Sequence, residues 1–232
     1  MAENDDLNYR LFYEIEEGKL GEVKKLIDAG ADVNFVNDNG YTPLIWAGSL
    51  GNVEIVDALI RNKADVNGKF KLADKTALMV AAEAGQLGVV KLLLIKGART
   101  GEKTSTGRTA LRYAAENGHL DIARLLIERG EDVNARDVNK WTVLMAAAMS
   151  GEADMVKLLS DHGAELNARD DEGLTALIWA VRIGSLESAS ALIEAGADVN
   201  AKANDGRSAL TFADMSENRE MAKMLIEKGG VP

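Results

Sequence analysis

A chain of 232 residues, 47% hydrophobic and with only two prolines, can bury a core along most of its length. It has no cysteine, which excludes thiol catalysis, disulfide staples and cysteine zinc sites, and no apolar run approaches the roughly 18 residues that a membrane helix needs. A net charge of −10 disfavours general attraction to nucleic acid or anionic lipid, and the acidic start MAENDDLNYR lacks the basic flank and apolar segment of a secretory signal, so a cytoplasmic location is expected.

Followed from its N terminus, the chain repeats itself. A T/S-x-L triplet begins at Thr42, Thr76, Thr109, Thr142, Thr175 and Ser208, at one step of 34 residues and then four of 33. Glycines closing apolar runs fall at Gly30, Gly97, Gly130, Gly163, Gly196 and Gly229, with Lys63 in the one empty slot. A mid-unit glycine falls at Gly18, Gly51, Gly85, Gly118, Gly151 and Gly184. A fixed period of this length marks a stacked array. In each unit the triplet hydroxyl predicts a helix N-cap, and Pro43 suits a first helical position because its missing N–H costs nothing there. The mid-unit glycine predicts a break, and the second helix carries paired apolar residues such as Leu59-Ile60, Leu92-Leu93, Leu125-Leu126, Leu158-Leu159 and Leu192-Ile193. The closing glycine predicts a left-handed helix stop, and a turn rich in Asp, Asn and Gly leads to the next triplet.

The units fall at about 4–36, 37–70, 71–103, 104–136, 137–169, 170–202 and 203–232. The first opens with polar residues, Asn8, Arg10, Glu14, Glu16 and Glu17, as a solvent-facing cap requires. In the second, Tyr41 precedes the triplet, Trp46 is expected in the core and Leu50 ends the first helix. One extra residue lies within 68–74, most simply at Phe70, and should distort that turn. The stretch GEKTSTGRT at 101–109 has the look of a phosphate loop, but Gly101 and Gly107 are six apart and Arg108 stands in the lysine position. It aligns with NGKFKLADKT, NARDVNKWT and NAKANDGRS and is therefore the turn of one repeat joined to the next N-cap. The fifth unit carries Trp141 and Met149, and the sixth Leu174, Trp179 (again expected in the core) and Ile183. The last unit is polar at Asp214, Ser216, Glu217 and Asn218.

Chemistry is sparse. His119 and His162 occupy different repeat positions without a ligand cluster, and the NDNG, DDEG and ANDG turns place Trp46, Trp179 and Phe212 where a calcium loop needs Glu. There is no GxSxG or HExxH, so neither an enzyme nor a metal or other cofactor is expected. A basic residue recurs once per unit at Lys69, Lys103, Arg136, Arg169 and Lys202, with Lys75, Arg108, Lys140 and Arg207 near the turns. These either pair with neighbouring acids such as Asp137 and Asp170 or form a positive strip that steers an acidic partner.

GADVN at 30–34 and 196–200, NGYTPL at 39–44 and NGHLDIARLLIERGEDVNARD at 117–137 are similar to the ankyrin repeat, and the resemblance covers nearly the whole chain. It implies an all-α repeat solenoid, a single domain over 1–232 in which each unit is two antiparallel helices followed by a β-hairpin finger, with polar caps at both ends. The family's TPLH reads TPLI, TALM, TALR, TVLM, TALI and SALT here, so the usual histidine is absent and its bracing hydrogen bonds must be replaced. In the family, the residue before the triplet and the end of the first helix face the concave side and vary with the partner. The implied function is a non-catalytic protein–protein interaction module. Tyr41, Leu50, Trp141, Met149, Leu174 and Ile183 would anchor a protein or peptide, and Lys75, Arg108, Arg112, Arg136 and Arg169 would orient it. The alternatives are an anionic-ligand or nucleic-acid binder using the Lys69 to Arg112 basic cluster, or an engineered or structural repeat scaffold without a natural partner. A monomer is expected. Asn34, Asn67, Asn134, Asn167 and Asn200 are expected to bond the backbone of their own turns.

Overall fold

The computed structural model describes residues 2–70, 72 and 74–232, with the backbone alone for 2–5. The chain forms two compact bodies that divide between Ser105 and Thr106. The first holds α1 (Ala2–Glu16), α2 (Leu20–Asp28), α3 (Pro43–Leu50), α4 (Val53–Arg61), α5 (Ala77–Glu83) and α6 (Leu87–Ile95). The second holds α7 (Ala110–Glu116), α8 (Leu120–Glu128), α9 (Val143–Ser150), α10 (Ala153–Asp161), α11 (Ala176–Ile183), α12 (Leu186–Glu194), α13 (Ala209–Met215) and α14 (Arg219–Glu227).

The odd-numbered helices from α3 onward start where the triplets predict. Thr42, Thr76, Thr109, Thr142, Thr175 and Ser208 each accept the backbone N–H three residues on, at 3.2–3.4 Å, which satisfies one of the orphan donors of a helix start. The alanines then bury completely, Ala81 and Ala82, Ala114 and Ala115, Ala147 and Ala148, so within each body successive first helices pack without bulky side chains between them. Of each apolar pair in a second helix one member is fully buried (Leu59, Leu93, Leu126, Leu159, Leu192) and its neighbour is partly so, except Leu158, which is also buried. Burying one such leucine contributes about 1.5–3 kcal/mol.

The helix ends follow the glycine landmarks. Gly51, Gly151 and Gly184 are left-handed C-caps, with φ of 82°, 78° and 80°. Lys63 fills its slot at φ 71°, and Asp74, Lys140 and Glu217 occupy further positions where other units have glycine, at φ 51°, 61° and 55°. Lys63 still makes the glycine's bonds: its N–H reaches Ile60 O at 3.0 Å, and the Ala64 N–H reaches Leu59 O at 3.0 Å.

The fingers close by turns. Among the described residues no strand forms, and single antiparallel bridges pair Lys69 with Thr76, Arg136 with Thr142 and Lys202 with Ser208. Asn37, Asp137 and Asp170 each accept the N–H four residues ahead, at 2.8–2.9 Å, which fixes Tyr41, Trp141 and Leu174 in position. The extra residue expected near Phe70 falls partly outside the described residues, at Lys71 and Ala73.

The asparagines correct the expectation of local bonding. Asn34 reaches the next repeat, donating Nδ2 to Lys63 O at 3.1 Å and accepting Asp65 N at 2.8 Å. Asn67 links to Gly97 and Arg99, Asn134 to Gly163 and Glu165, and Asn200 to Gly229 and Val231 in the same two-bond pattern. Asn167 accepts Asp198 N at 2.8 Å. The side chain is long enough to replace a peptide group across the gap between stacked turns, so each unit is latched to the one that follows within its body. Asn8, in the polar opening segment, is buried and accepts Asp32 N at 2.8 Å.

Candidate functional site: the finger and first-helix face

In the first body Tyr41 is half-buried and stacks on Phe70, with ring centroids 4.2 Å apart, while its edge meets Trp46 at 5.3 Å. Phe70, expected to distort the finger, supplies a ring to an aromatic trio. Trp46, expected in the core, is half-buried as the third member. Leu50 is exposed at the end of α3. Lys75 donates to Glu83 at 2.6 Å. Lys69 and Arg99 share Glu102, at 3.2 and 3.5 Å, and the Lys69 ammonium foremost holds that carboxyl below the usual range.

In the second body the rings and guanidinium groups alternate. Arg112 lies 5.3 Å from the centroid of Trp141, Trp141 meets Trp179 at 4.5 Å, Arg182 lies 4.5 Å from Trp179 and 5.6 Å from Phe212, and Arg207 lies 4.5 Å from Phe212. Trp179, also expected in the core, is half-buried, and its indole N–H donates to Asp170 Oδ2 at 2.9 Å. Met149 and Ile183 are exposed, at 36% and 44%, at the ends of α9 and α11.

Two expected site residues are not displayed. Leu174 is 2% exposed: its N–H is held by Asp170, and its side chain turns into the core. Arg112 is 3% exposed; it donates Nε to Glu116 at 2.9 Å and Nη1 to Thr142 O at 3.4 Å, and lies 3.8 Å from Asp137. Burial pulls its guanidinium below its ordinary value, and Glu116 and Asp137 oppose this. It stands at the position of the family histidine, so here a salt-bridged arginine braces the next finger. The basic ladder is largely committed too. Arg136 pairs with Glu165 at 2.7 Å, Arg169 donates to Lys202 O at 2.6 Å and Gly173 O at 3.2 Å, and Arg108 meets Glu116 at 3.5 Å. Sequence reading missed Arg182 and Phe212 as parts of one row. Their signal was positional: Arg182 occupies the repeat position of Met149, and Phe212 that of Trp179.

On the helix backs an open groove of about 710 Å³ crosses α10, α12 and α14, with Leu186, Ala191, Met224, Glu187, Glu194 and Glu220 in its lining. Among the described residues no group of three or more His, Asp or Glu could hold a metal, and no helix is long and apolar enough to cross a membrane.

Paired helices with latched turns and a variable, ring-bearing finger face define a helical repeat protein. The family model for ankyrin repeats in three copies matches residues 11–104, 69–137, 95–170, 130–203 and 169–231, and the chain belongs to the ankyrin repeat family. Its fold is that family's all-α repeat solenoid. The ankyrin repeat domain of human ASB11 is similar over 96% of this chain and 98% of its own, with a TM-score of 0.86 and 27% identity. Mouse ankyrin repeat and SAM domain-containing protein 6 is 34% identical over 98 residues, which are 42% of this chain and 11% of that protein. Rice probable E3 ubiquitin-protein ligase XBOS33 is 38% identical over 88 residues, 38% of this chain and 17% of that protein. The aligned part of this chain thus corresponds to a minor share of either relative. Ankyrin repeats are protein–protein interaction modules.

Proposed function

We propose that residues 1–232 form one ankyrin-repeat domain that binds a protein or peptide through the finger and first-helix face, and that it makes and breaks no bonds. Two sets of side chains carry this reading: in the first body half-buried Tyr41 with Leu50 exposed at the end of α3, and in the second half-buried Trp141 with Met149 and Ile183 exposed at helix ends. Tryptophan, tyrosine and methionine on pre-arranged scaffolds are what interface centres enrich, and their rings are held here before any partner arrives. A standard interface buries roughly 800 Å² per partner, within reach of a few adjacent fingers. Leu174 and Arg112 support the face from beneath. Arg136 and Arg169 tie fingers together and contribute orientation at most. The anion-binding alternative is weakened because Lys69 and Arg99 already share Glu102, and Arg108 and Arg112 share Glu116. The resemblance to a ligase does not argue for catalysis, since it covers 17% of that protein. A cytoplasmic monomer fits this reading, and sedimentation checks the oligomeric part.

The test is affinity enrichment from lysate with mass spectrometry, using the native chain, a face variant (Tyr41→Ala, Trp141→Ala, Met149→Ala) and a back variant (Lys157→Glu, Lys223→Glu), all of matched helicity. Proteins kept by the native chain and the back variant but lost by the face variant support the proposal. Equal retention by all three contradicts it.

A further inference from the structure

Arg182 differs from every other arginine of the row. It lies in the last turn of α11, is exposed, and is flanked by two rings, Trp179 at 4.5 Å and Phe212 at 5.6 Å. The flanking arginines are neutralised: Arg112 by Glu116 and Asp137, and Arg207 by Asp205, whose carboxylate accepts Nε at 2.7 Å. Arg182 has no carboxylate partner among the described residues. Its surroundings are nonetheless built. Asp170 is buried and fixes the Trp179 indole at 2.9 Å, Trp141 backs Trp179 at 4.5 Å, and Arg207 covers Phe212 at 4.5 Å. Rings packed near the guanidinium faces hold the side chain while leaving edge N–H donors for a planar acceptor. Met149, Ile183 and Met215, exposed at 36%, 44% and 63%, end the neighbouring first helices α9, α11 and α13. One unmatched cation in an apolar strip, on a molecule of net charge −10, selects a partner with one well-placed negative charge over a generally acidic one.

We propose that Arg182 is the recognition cation of this face and takes the side-chain carboxylate of an Asp or Glu in a partner protein segment, whose flanking apolar residues seat on Met149, Ile183 and Met215. The inference rests on the reading that the finger and first-helix face docks a protein, and it names the chemistry of that partner. The carboxylate accepts two parallel N–H donors from the guanidinium edge, the geometry in which arginine outperforms lysine.

The probe is a displayed library of random peptides selected on the full chain, with affinities of the recovered peptides measured by tryptophan fluorescence. Recovered peptides should be enriched in Asp or Glu bracketed by apolar residues. Arg182→Gln should weaken them about tenfold or more, equivalent to about 1.4 kcal/mol. Arg182→Lys should not restore them, and neutralising the peptide acid should add no further loss on the Arg182→Gln background. Arg182 is exposed, so an unchanged unfolding midpoint confirms that the variants fold. Loss of binding with Trp141→Ala but not with Arg182→Gln overturns the carboxylate site and leaves the docking face standing. Indifference to both substitutions overturns both readings. Absence of acid enrichment, or recovery of no peptide, overturns the proposal.

Discussion

Glu131 stands where other units carry Ala31, Ala64, Ala98, Ala164 and Ala197, and it is buried. One oxygen accepts the Leu111 N–H at 2.8 Å, so the carboxyl caps the start of α7. Desolvation pushes its pKa up to about 7, against opposing hydrogen bonds from Thr109 and Leu111. The folded state therefore holds the proton more tightly than the unfolded chain does. Its stability contribution is fully present below the unfolded pKa of about 4.5, declines as pH rises towards the folded value, and levels off above it. In urea melts between about pH 5 and pH 8, the native chain should lose roughly 2–3 kcal/mol that Glu131→Gln, which stays neutral, does not. Equal pH slopes for both chains would remove Glu131 from the account. Single residues were the hardest scale to read in the sequence. Leu174 shares its repeat position with half-buried Trp141, and only the way the side chain packs around Asp170 separates a core leucine from a displayed ring.

The first helices were legible because the starts of α3, α5, α7, α9, α11 and α13 each have a hydroxyl cap. Hydroxyl caps and left-handed stops recur at fixed spacing, and the helices follow them. The Lys63 slot, visible in the sequence as a missing glycine, is a residue held at φ 71°. A side chain pays a left-handed penalty there that glycine does not, so Lys63→Gly should stabilise the chain by up to about 1 kcal/mol in urea unfolding. A drop in midpoint would show instead that the lysine makes compensating contacts. The latches were not legible, because an asparagine in a turn looks the same whether it bonds its own loop or one about 30 residues away. Asn134→Ala removes the bond to Gly163 O at 3.1 Å and leaves Glu165 N unpaired. The expected loss is about 1–2 kcal/mol, read from the denaturation midpoint. A change within a few tenths would mean water replaces the latch.

For the molecule as a whole, the period of 33 residues marks a stacked array, motifs such as GADVN and NGYTPL carry the resemblance to the ankyrin repeat, and the comparisons agree along residues 11–231. Function is legible to a coarser degree. Tyr41 and Trp141 share one repeat position and Met149 and Arg182 another, but the residue types at these positions differ from unit to unit, and recognition depends on those types. The aromatic and arginine row of the second body becomes visible only when residues far apart in sequence, such as Trp141 and Trp179 or Arg182 and Phe212, are placed side by side. On the proposed reading this row, and not the groove on the helix backs, receives the partner. The most direct measurement is a nitrogen-labelled spectrum of the chain titrated with a selected peptide, following the indole N–H signals of Trp46, Trp141 and Trp179 together with the backbone amides of α12 and α14. The account predicts that the Trp141 and Trp179 indole signals shift with occupancy while the α12 and α14 amides stay in place. Shifts in α12 and α14 with unmoved indoles would contradict it and put the partner on the helix backs.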